Sequence, residues 1–126
     1  MRKVLVIGES CMDIFIYGDT PRLSPEGPAP VFLPQKETYN GGMGLNVCTN
    51  LQALKVDSDF HHQINHITKL RYVHESSNTL LLRVDEEDNV DRVTNETLTN
   101  IDYWEYPMVV IADYNKGFLT EEDIAY

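Results

Sequence analysis

Cysteine is scarce in this chain of 126 residues: Cys11 and Cys48 are the only two, and they form no CxxC pair. That count excludes a disulfide framework, and without a secretion signal both read as reduced thiols, which predicts a cytoplasmic protein. Long apolar runs are missing too. No stretch is long enough to span a membrane, and the start Met1-Arg2-Lys3-Val4-Leu5-Val6-Ile7-Gly8 lacks an apolar signal core. Positive charge is also short, with 10 Lys and Arg against 20 Asp and Glu, net −10. The deficit is lopsided. Residues 1–63 hold 5 basic and 7 acidic side chains, whereas residues 64–126 hold 5 and 13. A polyanion would be repelled by the second half, so nucleic acid is excluded as a partner, and the acidic excess reads as a solvated face. Neither a G-x-G-x-x-G fingerprint nor a P-loop is present, which argues against a dinucleotide fold.

What is present alternates. Val4-Leu5-Val6-Ile7 is a short apolar run ended by Gly8, the pattern of a central parallel strand. Ile14–Tyr17 and Val31–Leu33 read as short extended pieces. Pro21, Pro25, Gly27, Pro28 and Pro30 lie between them, which forbids a helix and predicts an ordered loop. Met43–Lys55 is the best helix, because Val47, Leu51 and Leu54 fall at i, i+4 and i+7 behind Gly41-Gly42. Thr68–Val73 and Thr79–Val84 read as a hairpin turned by residues 74–78 and ended by Asp85-Glu86-Glu87-Asp88. Glu96–Trp104 reads as a short helix and Met108–Ala112 as a second buried strand. The His62–His66 stretch reads as polar loop, and residues 56–61 are assigned to no element. The sum is an α/β fold: a parallel sheet carrying a small β appendage.

In an open α/β sheet the chemistry sits at the carboxyl ends of the strands. Asp13 lies shortly past the first strand and Asp113 directly past the last. Gly41, Gly42 and Asn46 stand at a helix start, where free N–H groups and small residues admit a polar ligand. Carboxylates and amides together suit sugar hydroxyls. The plainer reading is that Asp after a strand is a turn residue and Gly-Gly is loop geometry. Lys69 and Arg71 alternate along one strand and share a face. They and Lys116 would either meet a phosphate or sit in solvent. His62 and His66 have the i, i+4 spacing of metal ligands, yet no third ligand accompanies them, so no metal site is expected.

These blocks in this order resemble the ribokinase-like (PfkB) carbohydrate kinases, closest to their heptose-7-phosphate kinase branch. Gly8 and Asp13 match that family's first glycine and its sugar-binding Asp. Gly41, Gly42 and Asn46 match its Gly-Gly hinge and sugar-contacting Asn, with Met43 as an optional extra residue. Ser24-Pro25-Glu26-Gly27-Pro28-Ala29-Pro30-Val31 looks like the segment leading through the lid. Residues 67–73 and 81–85 resemble later lid strands. Ala112-Asp113-Tyr114-Asn115-Lys116-Gly117-Phe118-Leu119-Thr120 resembles the branch's S-D-Y-x-K-G-x-L-T, with Ala112 for the serine.

The resemblance implies a partial ribokinase-like fold over residues 1–126, with lid segments at about 14–34 and 68–85. It implies a sugar or sugar phosphate held by Asp13, Gly41, Gly42, Asn46, Lys69, Arg71, Asp113 and Lys116. ATP and Mg2+ would serve a complete enzyme. The family's Gly-Ala-Gly-Asp stretch, with its catalytic base and anion hole, has no counterpart here, so no catalytic residue is expected in this chain and no phosphate transfer by it alone. A strand–helix–strand unit before Thr68 is missing as well. Thr120-Glu121-Glu122-Asp123 is a helix start followed by only three residues, which suggests a fragment. A noncatalytic sugar-binding module, able to pair as a homodimer through its β lid, and an unrelated small α/β binding protein are the alternatives.

Overall fold

Val4–Gly8 forms β1, and each of its five residues is buried. Burial on both faces is what a continuous apolar run requires. In the computed structural model, which describes residues 2–125, β1 is the middle of a parallel sheet ordered β4-β1-β7. β7 is Val109–Ala112 and β4 is Ser58–His61. β7 is a strand as expected but not a buried one: it is an edge strand in which Val109 and Ile111 are exposed and only Ala112 is buried. Leu5 pairs with Val109 and Ile7 with Ile111 on one side, and Val6 with Phe60 on the other. Leu5 and Ile7 pack against Val93, Phe118 and Leu119. Val6 shares a face with Phe60, whose ring fills the space where a Cβ on Gly44 would stand, so α1 (Gly44–Ala53) lies tight on that face.

β4 lies between α1 and residue 68, where no strand was expected. Its four residues are half-buried at a sheet edge and carry three polar side chains in Ser58, Asp59 and His61, which hid it from a reading by apolar runs. After β4, Gln63 is nearly fully buried. Its Oε1 accepts from the Ser10 N–H at 2.9 Å and its Nε2 donates to the Ser10 carbonyl at 2.6 Å. One side-chain amide thereby satisfies both backbone groups that a strand neighbour would have paired. No helix carries His62 and His66; His62 Nδ1 lies 2.7 Å from the Gln63 carbonyl.

The second sheet is ordered β3-β2-β5-β6. Its strands are β2 (Ser10–Leu23), β3 (Pro30–Met43), β5 (Thr68–His74) and β6 (Thr79–Glu86). β2 and β3 far exceed the short pieces expected and absorb most of the expected loop, which shrinks to residues 24–29. Pro21 is tolerated because it lies past the β5 pairing and inside a register shift between Asp19 and Arg22. β3 also takes residues 40–43, so α1 starts at Gly44. β5 and β6 form the expected hairpin, with Asn78 in a left-handed turn conformation at φ 53°.

The segment expected as one helix from Glu96 divides. α2 spans Asn95–Asn100, capped by the Thr94 hydroxyl accepting from the Thr97 N–H, and a single 3-10 turn follows at Tyr103–Glu105. Extended backbone at Ile101 separates them. At Thr120 the helix start is a reciprocal capping box: its hydroxyl accepts from the Asp123 N–H at 3.3 Å and Asp123 Oδ2 accepts from the Thr120 N–H at 2.8 Å. α3 then spans Glu121–Ala125. No helix among the described residues is long and apolar enough to cross a membrane.

Candidate functional site

β1 and β7 end side by side, because Gly8 pairs with Ala112 and any Cβ there would strike the Ala112 carbonyl. The chain turns at once into Glu9, whose side chain is fully buried. Its Oε1 accepts the Tyr114 N–H at 2.7 Å, and its Oε2 accepts those of Lys116 at 2.7 Å and Phe118 at 3.3 Å. Asn115 at φ 57° and Gly117 at φ 104° curl the loop around the carboxylate. Sequence reasoning passed over Glu9. Its one signal was an acid directly behind a strand-ending glycine.

Asp113 opens this loop, exposed, with Oδ1 accepting from the Asn115 N–H at 2.9 Å. That is the turn geometry of the plainer reading, and it leaves Oδ2 for another partner. Lys116 turns its ammonium to Asp88 at 2.6 Å.

Asp13 lies on β2, half-buried, and its Oδ1 accepts from Arg71 Nη1 at 2.9 Å. The other carboxylate oxygen lies under Gly42, where a Cβ would collide with both Asp13 and Cys11. Glycine at 42 is thus required by the approach of β3 to the carboxylate. Burial, and then the neighbouring Asp13 carboxylate, push the Cys11 thiol above its usual range, so it is a neutral wall. The Cβ space of Gly41 is taken by Leu45.

Register adds the rest. Asp13 pairs with Lys69 and Lys69 with Asp85, so the three side chains share one face of the sheet. One step along, Arg71 stands opposite Arg83. Like charges directly opposed are unfavourable. Here each has its own carboxylate: Arg71 has Asp13, while Arg83 grips Asp85 twice, at 2.7 and 3.0 Å. Arg71 also lies 5.0 Å over the Phe15 ring. The hydrogen bond from Arg83 holds the Asp85 carboxyl below its usual range, and Lys69 and Lys116 help. Arg83, absent from the candidates read from sequence, therefore belongs to the same face.

The structure brings Asp13, Gly42, Lys69 and Arg71 together, with Gly41 beside them on β3. Asn46 is exposed in the first turn of α1, and Asp113 and Lys116 sit on the loop held by Glu9. The Cβ positions of Gly8, Gly41 and Gly42 are closed by protein, so each glycine is required by close packing. Among the described residues no group of three His, Cys, Asp or Glu is placed to hold a metal ion.

No family model matches the chain. It is 31% identical over a 150-residue alignment to the bifunctional protein HldE of Pasteurella multocida, covering 94% of this chain and 31% of that protein. It is 31% identical over 156 residues to HldE of Helicobacter pylori strain P12, covering 97% of this chain and 33% of that one. The chain thus spans about a third of the length of the curated relatives it matches. Among solved structures, phosphofructokinase-2 from Escherichia coli superposes with a TM-score of 0.56 at 13% identity, over 98% of this chain and 48% of that one. A microbiome-derived acarbose kinase, Mak1, gives 0.55 at 14% identity over 88% and 45%. The fold is therefore the ribokinase-like α/β fold in part, and the likeness to HldE in sequence and to phosphofructokinase-2 in fold holds over nearly the whole chain. An unrelated small α/β protein does not fit that likeness.

Proposed function

We propose that this chain is the sugar-binding half of an ATP-dependent sugar-phosphate kinase of the heptose-7-phosphate kinase type. The observation that carries the reading is the Asp13 carboxylate, tucked under Gly42 and oriented by Arg71. A carboxylate so held accepts hydrogen bonds from sugar hydroxyls, and Asn46 and Asp113 would hold the acceptor hydroxyl with it. Beside it the face carries three cations, Lys69, Arg71 and Arg83, against two carboxylates, Asp13 and Asp85. In a chain of net charge −10 that local surplus suits the phosphate of a sugar phosphate. Lys116 would reach the same group by releasing Asp88.

Phosphoryl transfer needs a positioned nucleotide and groups that stabilise its developing charge. Mg2+, ATP and the catalytic base would be held by residues outside this segment. Cytoplasmic residence is part of the reading. The test is a coupled ADP-release assay with a panel of phosphorylated sugars, run on this chain and on a version extended with a family C-terminal half. Turnover is expected from the extended version alone. Sugar-dependent turnover by the 126 residues themselves would overturn the reading. Sugar-phosphate binding without turnover in either protein would favour a noncatalytic binding module.

The second sheet is the proposed lid and a homodimer surface. It exposes Leu33, Tyr39, Leu80 and Leu82, each more than half accessible, on a sheet whose outer strands have free edges. Sedimentation at high micromolar concentration should show a dimer, and a monomer there would count against this surface.

A further inference from the structure

We infer that Glu9 is a positioning residue that locks the 113–118 loop onto the end of β1, and so fixes Asp113 and Lys116 relative to Asp13 and Gly42. The consequence for binding rests on the function proposed above; the locking does not.

A fully buried carboxylate is costly unless its oxygens are satisfied. Here three backbone N–H groups, from Tyr114, Lys116 and Phe118, converge on one side chain. Alternate residues of the loop donate, and the intervening Asn115 and Gly117 take positive φ. Such a concavity of N–H groups is an anion-binding nest, and Glu9 is its built-in anion. A neutral apolar residue at position 9 would orphan all three donors.

The backbone of the same residue reaches the other candidate segments. The Glu9 carbonyl accepts from the Gly44 N–H at 2.7 Å, at the start of α1 just past Gly41-Gly42. The Glu9 N–H donates to the Ala112 carbonyl at 3.2 Å, next to Asp113. One residue thus ties the β1 end, the Gly-Gly helix start and the Asp113 loop. Glu9 lies behind this surface without access to a ligand, so it acts on binding only through the parts it holds.

The experiment compares wild type, Glu9→Gln and Glu9→Asp in the full 126-residue chain. Proton NMR should show the Tyr114, Lys116 and Phe118 amides shifted downfield in wild type, as for donors to a carboxylate. In Glu9→Gln these three should move upfield and exchange with solvent at least about tenfold faster, while the Val6 amide in β1 keeps its protection. Calorimetry with a heptose 7-phosphate should show about tenfold weaker binding in Glu9→Gln, the scale of one charge-assisted hydrogen bond misplaced. Glu9→Asp keeps the charge and should recover part of both. Unchanged loop amides in Glu9→Gln would overturn the inference. So would loss of protection at Val6 together with the loop in both variants, because Glu9 would then hold the core and not the loop. Failure of wild type to bind the sugar phosphate would remove the proposed function, and the amide signals would still decide the role of Glu9.

Discussion

The two sheets of this molecule are made of similar residues and are held in different ways. In the parallel sheet, β1 is buried at every position and is covered on both faces. In the second sheet, β6 reads Thr-Leu-Leu-Leu-Arg-Val-Asp-Glu, with as many large apolar side chains as β1, yet every position but Val84 is exposed. Each of the three consecutive leucines in β6 stays 40–57% accessible, whereas Leu5 in β1 is fully buried. Hydrophobic composition makes both strands; only partners on both faces make a core. The second sheet keeps its shape by backbone ladders and by ion pairs such as Arg71–Asp13, and those polar contacts also make it the face fit for a polar ligand.

The largest expected effect breaks this contrast at its core. Leu5→Ala should cost about 2–5 kcal/mol, because the site is fully enclosed and collapses poorly. Leu82→Ala, at a position 57% accessible, should stay within about 0.5 kcal/mol. Urea unfolding of both variants measures the difference, and equal losses would mean that the second sheet has a core of its own.

Next in size is a change that separates binding from stability. Asp13→Ala and Asn46→Ala should each weaken sugar-phosphate binding in a complete enzyme by ~1.5–3 kcal/mol, about 10- to 100-fold. Thermal midpoints should move less, since Asn46 is exposed and Asp13 half-buried. Unchanged affinity in both variants by calorimetry would remove the site from this face.

The smallest effect is electrostatic and belongs to the parallel-sheet side. The Asp123 carboxyl is held below its usual range, first by the Thr120 N–H it accepts, with the Thr120 hydroxyl and Arg92 adding to this against desolvation. A folded pKa below the unfolded one contributes stability that is fully present above the unfolded value, near 4, and is lost as pH falls through the folded value. Urea midpoints should therefore drop between about pH 5 and 2 in wild type, and Asp123→Asn should flatten part of that slope. A cap is worth about 0.5–2 kcal/mol, which bounds the change. Identical acid limbs would show that the capping box is not populated.

Legibility followed locality. β1, β7, the β5–β6 hairpin and the Thr120 cap were readable because short-range patterns specify them: apolar runs, alternation, a Thr followed by acids. β4 was not, since an edge strand of four mostly polar residues is defined by its neighbour. The length of β2 and β3 was also hidden. Pro21 and the Gly-rich 41–44 stretch read locally as breakers, and only the antiparallel partner shows that a register shift at one end and close approach at the other absorb them.

The same division runs through the candidate site. Asp13, Gly41, Gly42, Lys69 and Arg71 could be named from residue type and position, because strand ends and strand alternation are one-dimensional properties. By itself the sequence determined the α/β class and the buried first strand, and it named the residues proposed above to meet a sugar phosphate. Three-dimensional pairing alone decided that Arg83 joins Arg71 across a ladder, that Gly42 is needed by Asp13, and that Glu9 fills the nest of the 113–118 loop. Those residues lie 12, 29 and more than 100 positions apart in the chain. A hydrogen bond or a close approach over such separations leaves no periodic trace in the sequence, because it depends on where two strands end and not on what either strand repeats.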